Sequence, residues 1–464
     1  MENLSLKNLK NKRVHFVGIG GISMSAIALM LKSFGVIVQG SDDQENDEVK
    51  KLKKKGIVVF DGHSKKNLKG VEFLVYSSAI SDKNPELVFA KKKGILLIKR
   101  AELLGVIAEG FKTVVSVAGS HGKTTTTAMI SEICFCAGLK PTVHIGGNLN
   151  SIRSNFLIGN RSLFITESCE YKDNFLFLKP DISVILNIDA DHLDYFKNLD
   201  GVKKSFFKFA QGTKKGGIVI ASKDDENSGE ILSLSNSTSF GIDKKADIVA
   251  SNIKEYKPCY YSFDVVFAKL KLGNIKLNIV GKHNVLNALA SVLVGLALAV
   301  DFCDIKKALE NFSGVSRRCE KIETKTEFDV YHDYAHHPEQ IEQMIKVARD
   351  LIKKSKGRVF VVFEPHTYSR TKFLIDEFAK ALSKADHVFI APVYSAREVP
   401  TDGYDSLKLS NEIKEINPNV EYVETYDEIY ERLLLVARSK DVVFVLGAGT
   451  VEKLARRFTN NNLN

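Results

Sequence analysis

What the 464-residue chain lacks narrows its class first. Its longest apolar run, Ala288 to Val300, is too short to cross a bilayer and reads as a buried helix. Met1-Glu2-Asn3-Leu4 opens the chain without the apolar core of a secretory signal. Tryptophan is absent and cysteine is scarce, with six residues. The pair in Cys134-Phe135-Cys136 does not have a zinc-site spacing, so free thiols in a reducing compartment are expected. No block of one charge sign occurs either. The net charge of +10 comes from lysines scattered along the chain, and clusters such as Lys50 to Lys55 adjoin helical patterns, which speaks against a nucleic-acid-binding arm. Solenoid repeats and low-complexity tracts are also missing. What is there, 44% hydrophobic and 26% charged residues, suits a soluble globular chain of two or three domains.

One stretch organises the rest. Val114 to Ala118 is a β-branched run, Gly119-Ser120-His121-Gly122 is a glycine turn, and Lys123-Thr124-Thr125 opens a helical pattern. That order builds a phosphate-binding loop. Backbone N–H groups close round the anion, and the helix start adds partial positive charge. Lys123 would reach the outer phosphates, and the Thr124 hydroxyl would ligate Mg²⁺. Only two residues separate Gly119 from Gly122, where the general pattern has four.

Before this loop, strand Arg13 to Val17 leads into Gly18-Ile19-Gly20-Gly21-Ile22-Ser23 and a helical pattern from Met24 to Phe34. This is the first turn of a Rossmann-like unit, with Ser23 where a third glycine is usual. It suits a dinucleotide, a nucleotide diphosphate or only a tight turn. The next strand, Val36 to Val38, runs on to Ser41-Asp42, where an acidic residue often bonds a ribose. Strand Phe73 to Tyr76 leads into Ser77, and Leu96 to Ile98 closes the unit.

After the loop, strand Leu163 to Thr166 ends at Glu167, and strand Ile182 to Leu186 ends in the cluster Asn187 to Asp194. Ligands of open parallel sheets collect at carboxyl strand ends, so Glu167 and His192 are expected to face the loop and hold a metal. A surface carboxylate and a helix cap are the competing readings. Lys269 to Leu272, Gly273-Asn274 and Ile275 to Leu277 read as a hairpin. His283, Asn284 and Asn287 open the apolar helix, as caps or as contacts to an adenine edge. A third unit follows Arg317-Arg318. Tyr331 to Asp333 ends a strand before Tyr334, His336 and Pro338, Val359 to Phe363 leads to His366 and Arg370, and Val442 to Leu446 ends in another glycine turn.

Taken together, His15 to Gly21, Gly119 to Thr125, Asn187 to Asp194, Gly281 to Asn284, Asp333 to Pro338 and Pro365 to Thr371 resemble, in order, the motifs of the Mur ligases of peptidoglycan synthesis. The short phosphate loop is the form that family uses. The resemblance implies an α/β chain of three domains: a Rossmann-like domain over 1–108 for a UDP-sugar, a central ATPase with a mixed sheet over 109–318, and a Rossmann-like domain over 319–464 for the amino acid. It further implies an ATP-dependent amide ligase that joins L-alanine to UDP-N-acetylmuramate through an acyl phosphate. A tripeptide-recycling ligase of the same family is the nearest alternative.

By the same carry-over, Gly119 to Thr125 hold ATP, with Lys123 on its phosphates. Thr124, Glu167 and His192 serve Mg²⁺. His283, Asn284 and Asn287 border the adenosine, and Arg318 and Asp333 reach ATP from the third domain. His336 lies near the reacting carboxylate, and Tyr334 and Arg370 border the amino acid. Gly18, Gly20, Gly21, Ser41, Asp42 and Ser77 attend the UDP-sugar. A cytoplasmic bacterial enzyme, monomeric or weakly dimeric, is implied. Thr367 stands where some members carry a second arginine. A non-catalytic nucleotide sensor and an NAD-dependent oxidoreductase are rivals that leave the metal and arginine residues or the phosphate loop unexplained.

Overall fold

The computed structural model of the chain describes residues 4–77, 79–242, 245–396, 398 and 405–459; the side chain of Asp194 lies outside that description. The chain forms two compact units. The first comprises Met1–Ile253, Ser262–Asn278 and His283–Ser313, and the second Lys254–Tyr261, Ile279–Lys282 and Gly314–Asn464.

The first unit begins with a five-stranded sheet of β1 (Arg13–Val17), β2 (Ile37–Asp42), β3 (Val58–Asp61), β4 (Phe73–Tyr76) and β5 (Leu96–Lys99). Its order is β3-β2-β1-β4-β5 and every pairing is parallel, the Rossmann-like arrangement. A second sheet has the order β15-β14-β13-β12-β11-β10-β6-β9-β7-β8. Its central strands β6 (Thr113–Ala118), β7 (Thr142–Leu149), β9 (Leu163–Glu167), β10 (Ile182–Ile185), β11 (Ile218–Ser222) and β12 (Ser237–Gly241) are parallel. At its edges β8 (Ser154–Leu157) lies antiparallel to β7, and β15 (Leu270–Lys276) antiparallel to β14 (Tyr260–Phe267), with β13 (Ile248–Lys257) beside β12. The sheet is therefore mixed. Helix Lys123–Cys136 follows β6, and the apolar helix His283–Ala297 is buried over most of its length.

In the second unit, β16 (Glu320–Ile322), β17 (Asp329–Asp333), β18 (Val359–Phe363), β19 (His387–Ile390), β20 (Val420–Tyr422) and β21 (Val442–Leu446) form a sheet of order β16-β17-β21-β18-β19-β20. Only β16 runs antiparallel. All five residues of β18 and of β21 are buried, because helices cover both faces and an unbroken Val/Phe run suits such a strand. Pro338 sits in the first turn of helix Pro338–Ile352, where its missing N–H costs nothing.

The expected hairpin at Gly273-Asn274 is wrong. Lys271 to Lys276 is one continuous strand against β14, and the reversal falls at Ala268-Lys269, both at positive φ (47° and 69°). Gly273 serves packing instead of turning: a Cβ there would press on the Phe302 ring at 2.7 Å. A β-bulge opposite it, between Val265 and Val266, absorbs the register shift.

Candidate active site

The phosphate loop lies between β6 and helix Lys123–Cys136. Gly119 (φ 146°) and Gly122 (φ 83°) take conformations closed to other residues, and Gly122 also faces the Asn287 amide, with no room for a Cβ. The end of β10 supports the loop from behind. Asn187 accepts the His121 N–H on its side-chain oxygen (2.7 Å), donates its amide to the His121 carbonyl (3.1 Å), and accepts the Ser120 N–H on its own carbonyl (3.1 Å). Ser120 Oγ accepts the Asp189 N–H (2.8 Å).

Lys123 Nζ donates to the Ser120 carbonyl (3.2 Å) and to both carboxylate oxygens of Glu170 (3.1 and 3.0 Å). Glu170 is buried, so the loop carries its own counter-charge to the lysine. Thr124 Oγ1 donates to Glu167 Oε2 (2.9 Å). Glu170, Asp191 and His192 each turn one donor atom into a group spanning no more than 4.8 Å. His192 also caps the short helix Leu193–Phe196 at φ 54°, so the cap and the site coincide in one residue. Lys123 and His192 thus meet at Glu170, and Thr124 meets Glu167, at the same loop. Glu170 escaped the sequence reading because it lies three residues beyond the strand end, in a 3₁₀ approach where strand logic no longer applies.

His283, Asn284 and Asn287 stand on the first turns of their helix beside this loop. Asn287 donates to Asn284 Oδ1 (2.9 Å), and His283 is within electrostatic reach of His121. Gly146 borders the same site on β7, where a Cβ would overlap the Glu167 carboxylate.

At the first glycine turn Gly18 has φ 74°, and Gly20 donates its N–H to Asp42 Oδ2 (2.8 Å), so the acidic residue braces the turn. Ser41 is fully buried and donates to Glu86 Oε2 (2.6 Å), with His63 Nδ1 2.9 Å away. Burial alone would push the Glu86 carboxyl up, but hydrogen bonds from His15, His63 and Ser41 hold it well below the usual carboxylate range. Ser77 follows β4 at its carboxyl end and accepts the Ala79 N–H.

In the second unit, Asp333 ends β17, buried, and accepts N–H bonds from Cys319 and Ala335 (both 2.7 Å). Burial raises its pKa, which Arg318 and these donors oppose. Arg317 and Arg318 lie over the Tyr334 ring at 4.6 and 5.5 Å. His336 is pushed down to about 4, by burial first and then by Arg370 and two other histidines, against a bond to the Tyr334 carbonyl. Arg370 Nη1 donates to His366 Nδ1 (3.2 Å), and the His366 ring lies 5.8 Å from that of His336. The sequence names His366 only within the Pro365 to Thr371 stretch and gives it no role; the structure sets it beside Arg370 and His336. A concavity of this unit, about 610 Å³ beside Arg349, Arg358 and Asp386, opens at the amino ends of β18 and β19, the end parallel sheets do not use for ligands.

One parallel and two mainly parallel sheets, with a glycine turn running into Lys123-Thr124 at the carboxyl end of one strand, make an α/β nucleotide-binding architecture. Family models agree along the chain: "Mur ligase family, catalytic domain" at residues 13–112, "Mur ligase middle domain" at 117–295 and "Mur ligase, glutamate ligase domain" at 317–449. The chain belongs to the Mur ligase family. Among curated relatives it is 45% identical to UDP-N-acetylmuramate–L-alanine ligase of Caldicellulosiruptor saccharolyticus, over 94% of this chain and 96% of that one. It is 42% identical to the ligase of the same name from Acetivibrio thermocellus, over 99% and 98%. Its fold matches the UDP-N-acetylmuramate–alanine ligase of Thermotoga maritima (TM-score 0.80, 29% identity, 96% and 98% covered). It also matches a murein peptide ligase of Psychrobacter arcticus (TM-score 0.70, 21% identity, 96% and 98% covered).

Proposed function

We propose that this chain joins L-alanine to the lactyl carboxylate of UDP-N-acetylmuramate at the expense of ATP, in the bacterial cytoplasm, for peptidoglycan precursor synthesis. The observation that carries the reading is full-length similarity to ligases of that name, together with Lys123, Thr124, Glu167, Glu170 and His192 meeting at one loop. A carboxylate is a poor electrophile. Its oxygen attacks the outer phosphorus of ATP, ADP leaves, and the acyl phosphate that results has a good leaving group. The alanine amine then attacks the acyl carbon, loses a proton, and phosphate departs. No covalent protein nucleophile is needed.

The chain's part is positioning and charge neutralisation. The backbone of Gly119 to Thr125 and Lys123 hold the polyphosphate, while His283, Asn284 and Asn287 border the adenosine. Glu170, Asp191 and His192 group two carboxylates with an imidazole, and Thr124 with Glu167 adds a hydroxyl and a carboxylate at the same loop, a chemistry that fits a hard dication. Thr124, Glu167 and His192 would hold Mg²⁺, which offsets the phosphate charge. Gly18, Gly20, Gly21, Ser41, Asp42 and Ser77 attend the UDP-sugar. Arg318 and Asp333 serve ATP, Tyr334 and Arg370 the alanine, and His336, kept neutral, attends the reacting carboxylate. The roles divide over 1–108, 109–318 and 319–464 in a monomer or weak homodimer. The test is phosphate release from ATP with UDP-N-acetylmuramate, amino acid by amino acid and with a tripeptide. Release with L-alanine is expected; preference for the tripeptide would overturn the reading.

A further inference from the structure

Ser23, which replaces the third glycine of the first turn, has a partner on either side. Arg100 Nη1 donates to Ser23 Oγ (3.0 Å), and Ser23 Oγ lies 3.0 Å from His144 Nε2. His144 Nδ1 lies 3.1 Å from Thr166 Oγ1, which donates to the Glu167 carbonyl (3.0 Å). The far end fixes the proton order. The Thr166 proton is committed to the carbonyl, so Thr166 accepts from Nδ1–H. Nε2 is then bare and accepts the Ser23 proton, which leaves the Ser23 lone pairs for Arg100. A charged imidazole would break this order, and His144 is buried and pushed down to about 3, by burial and then by Arg100.

Arg100, Ser23, His144 and Glu167 line one cavity of about 240 Å³ in the first unit. The guanidinium has five N–H donors and, among the described residues, one hydrogen-bond acceptor, the Ser23 hydroxyl; Glu167 acts on it through charge, without a hydrogen bond. Glu167, which lines the same cavity, accepts the Thr124 hydroxyl at the phosphate loop.

We propose that Arg100 receives the lactyl carboxylate of the UDP-sugar in this cavity, with Ser23 and His144 as positioning residues that aim the guanidinium. The inference rests on the functional reading above. A carboxylate awaiting phosphorylation must come within reach of the loop that holds ATP, and so beside the anionic Glu167. A cation in the same cavity makes that approach tolerable, and the planar fork of arginine matches a carboxylate in two bonds.

Calorimetry with UDP-N-acetylmuramate and with UDP-N-acetylglucosamine, which has the same diphosphate and no lactyl carboxylate, separates the two anions. Arg100→Gln should weaken the first ligand by about 30-fold or more, as loss of a charge-assisted contact does, and leave the second nearly unchanged. Equal weakening of both would assign Arg100 to the diphosphate and overturn the proposal, as would no weakening of either. Ser23→Ala and His144→Phe should each raise the KM for UDP-N-acetylmuramate with kcat largely kept. The double variant should be no worse than either single one, since both cut the same relay. His144→Gln, which offers Ser23 an acceptor, should restore the lower KM. A His144→Phe protein altered only in melting temperature would reduce the relay to a structural one and remove the positioning role. Arg100→Lys guards against a misfolded glutamine variant and should also weaken binding. Were the unaltered protein unable to bind UDP-N-acetylmuramate, the functional reading itself would fall; normal binding by both arginine variants overturns only the inference.

Discussion

Two glycine turns follow parallel strands in this chain and look alike in sequence. Gly119 to Gly122 ends β6 and opens on Lys123-Thr124, while Gly447 to Gly449 ends β21 ahead of Thr450. The first is braced from behind by Asn187, and Lys123 Nζ donates back to its Ser120 carbonyl. The second is already filled by the chain itself. Glu364 accepts the Thr450 N–H (3.1 Å) and hydroxyl (2.9 Å), the Val451 N–H (3.3 Å) and the Tyr426 hydroxyl (2.5 Å). A Cβ on Gly449 would overlap that carboxylate. A glycine turn thus becomes an anion site only where no acidic side chain of the same protein satisfies its donors.

Breaking the first turn has the largest expected effect. Lys123→Ala should lower ATP-dependent ligation by about a thousand-fold or more, as removal of a central phosphate clamp does. UDP-N-acetylmuramate affinity should stay nearly intact; a calorimetric loss of sugar binding of similar size would undo the separation of roles. If Glu167 serves Mg²⁺ as proposed, Glu167→Gln keeps shape but removes its charge, and turnover should fall by about a hundred-fold or more without full recovery in excess magnesium. Near-normal steady-state rates would return Glu167 to a bystander.

The second unit should respond differently. Arg370→Lys should raise the alanine KM by about 30-fold or more, because an ammonium does not reproduce the bidentate fork. Borohydride trapping without alanine should still find the acyl phosphate, since that step needs no amino acid. Failed trapping with an unchanged alanine KM would move Arg370 to the phosphate chemistry.

Glu364→Ala sharpens the comparison directly. Buried N–H and O–H donors lose their acceptor, so the unit should be destabilised by about 3 kcal/mol. If the emptied turn is a latent anion site, sulfate should recover part of the melting temperature in this variant more than in the unaltered protein. Equal sulfate effects in both would contradict the idea that the glutamate stands in for an anion.

The smallest effect concerns acid. His336 and His144 have folded pKa values of about 4 and about 3, both below the unfolded value near 6.5. Their contribution to stability is complete above pH 6.5 and is lost as pH falls from there through 4 and 3, where the unfolded chain binds the protons. His336→Gln should flatten the denaturant midpoint between pH 6.5 and 4; an unchanged slope would show that His336 titrates normally.

Strands were legible where both faces are covered. β18 and β21 begin and end at the residues their apolar runs suggest, because an all-buried strand has no polar alternation to blur its limits. The reading failed at Gly273, where a glycine required by the Phe302 ring looked like a turn residue. The site was legible as far as it lies on contiguous motifs: Lys123, Thr124, Glu167, His192 and Arg370 each follow a strand. Glu170, Arg100 and His144 were not, since their meaning comes from partners distant in sequence, such as Ser23 for His144, 121 residues away. Ser23 itself was visible only as a departure from pattern.

Gly146 has a consequence for inheritance. Every codon change that replaces this glycine adds a Cβ, and the space that atom needs is held by the Glu167 carboxylate. The same backbone forms part of the wall of the 240 Å³ cavity. A compound resting against that stretch of main chain would press on a surface that point mutation cannot reshape without moving the carboxylate opposite the phosphate loop. Escape would have to arise elsewhere, at lining side chains such as Ile22 or Leu104.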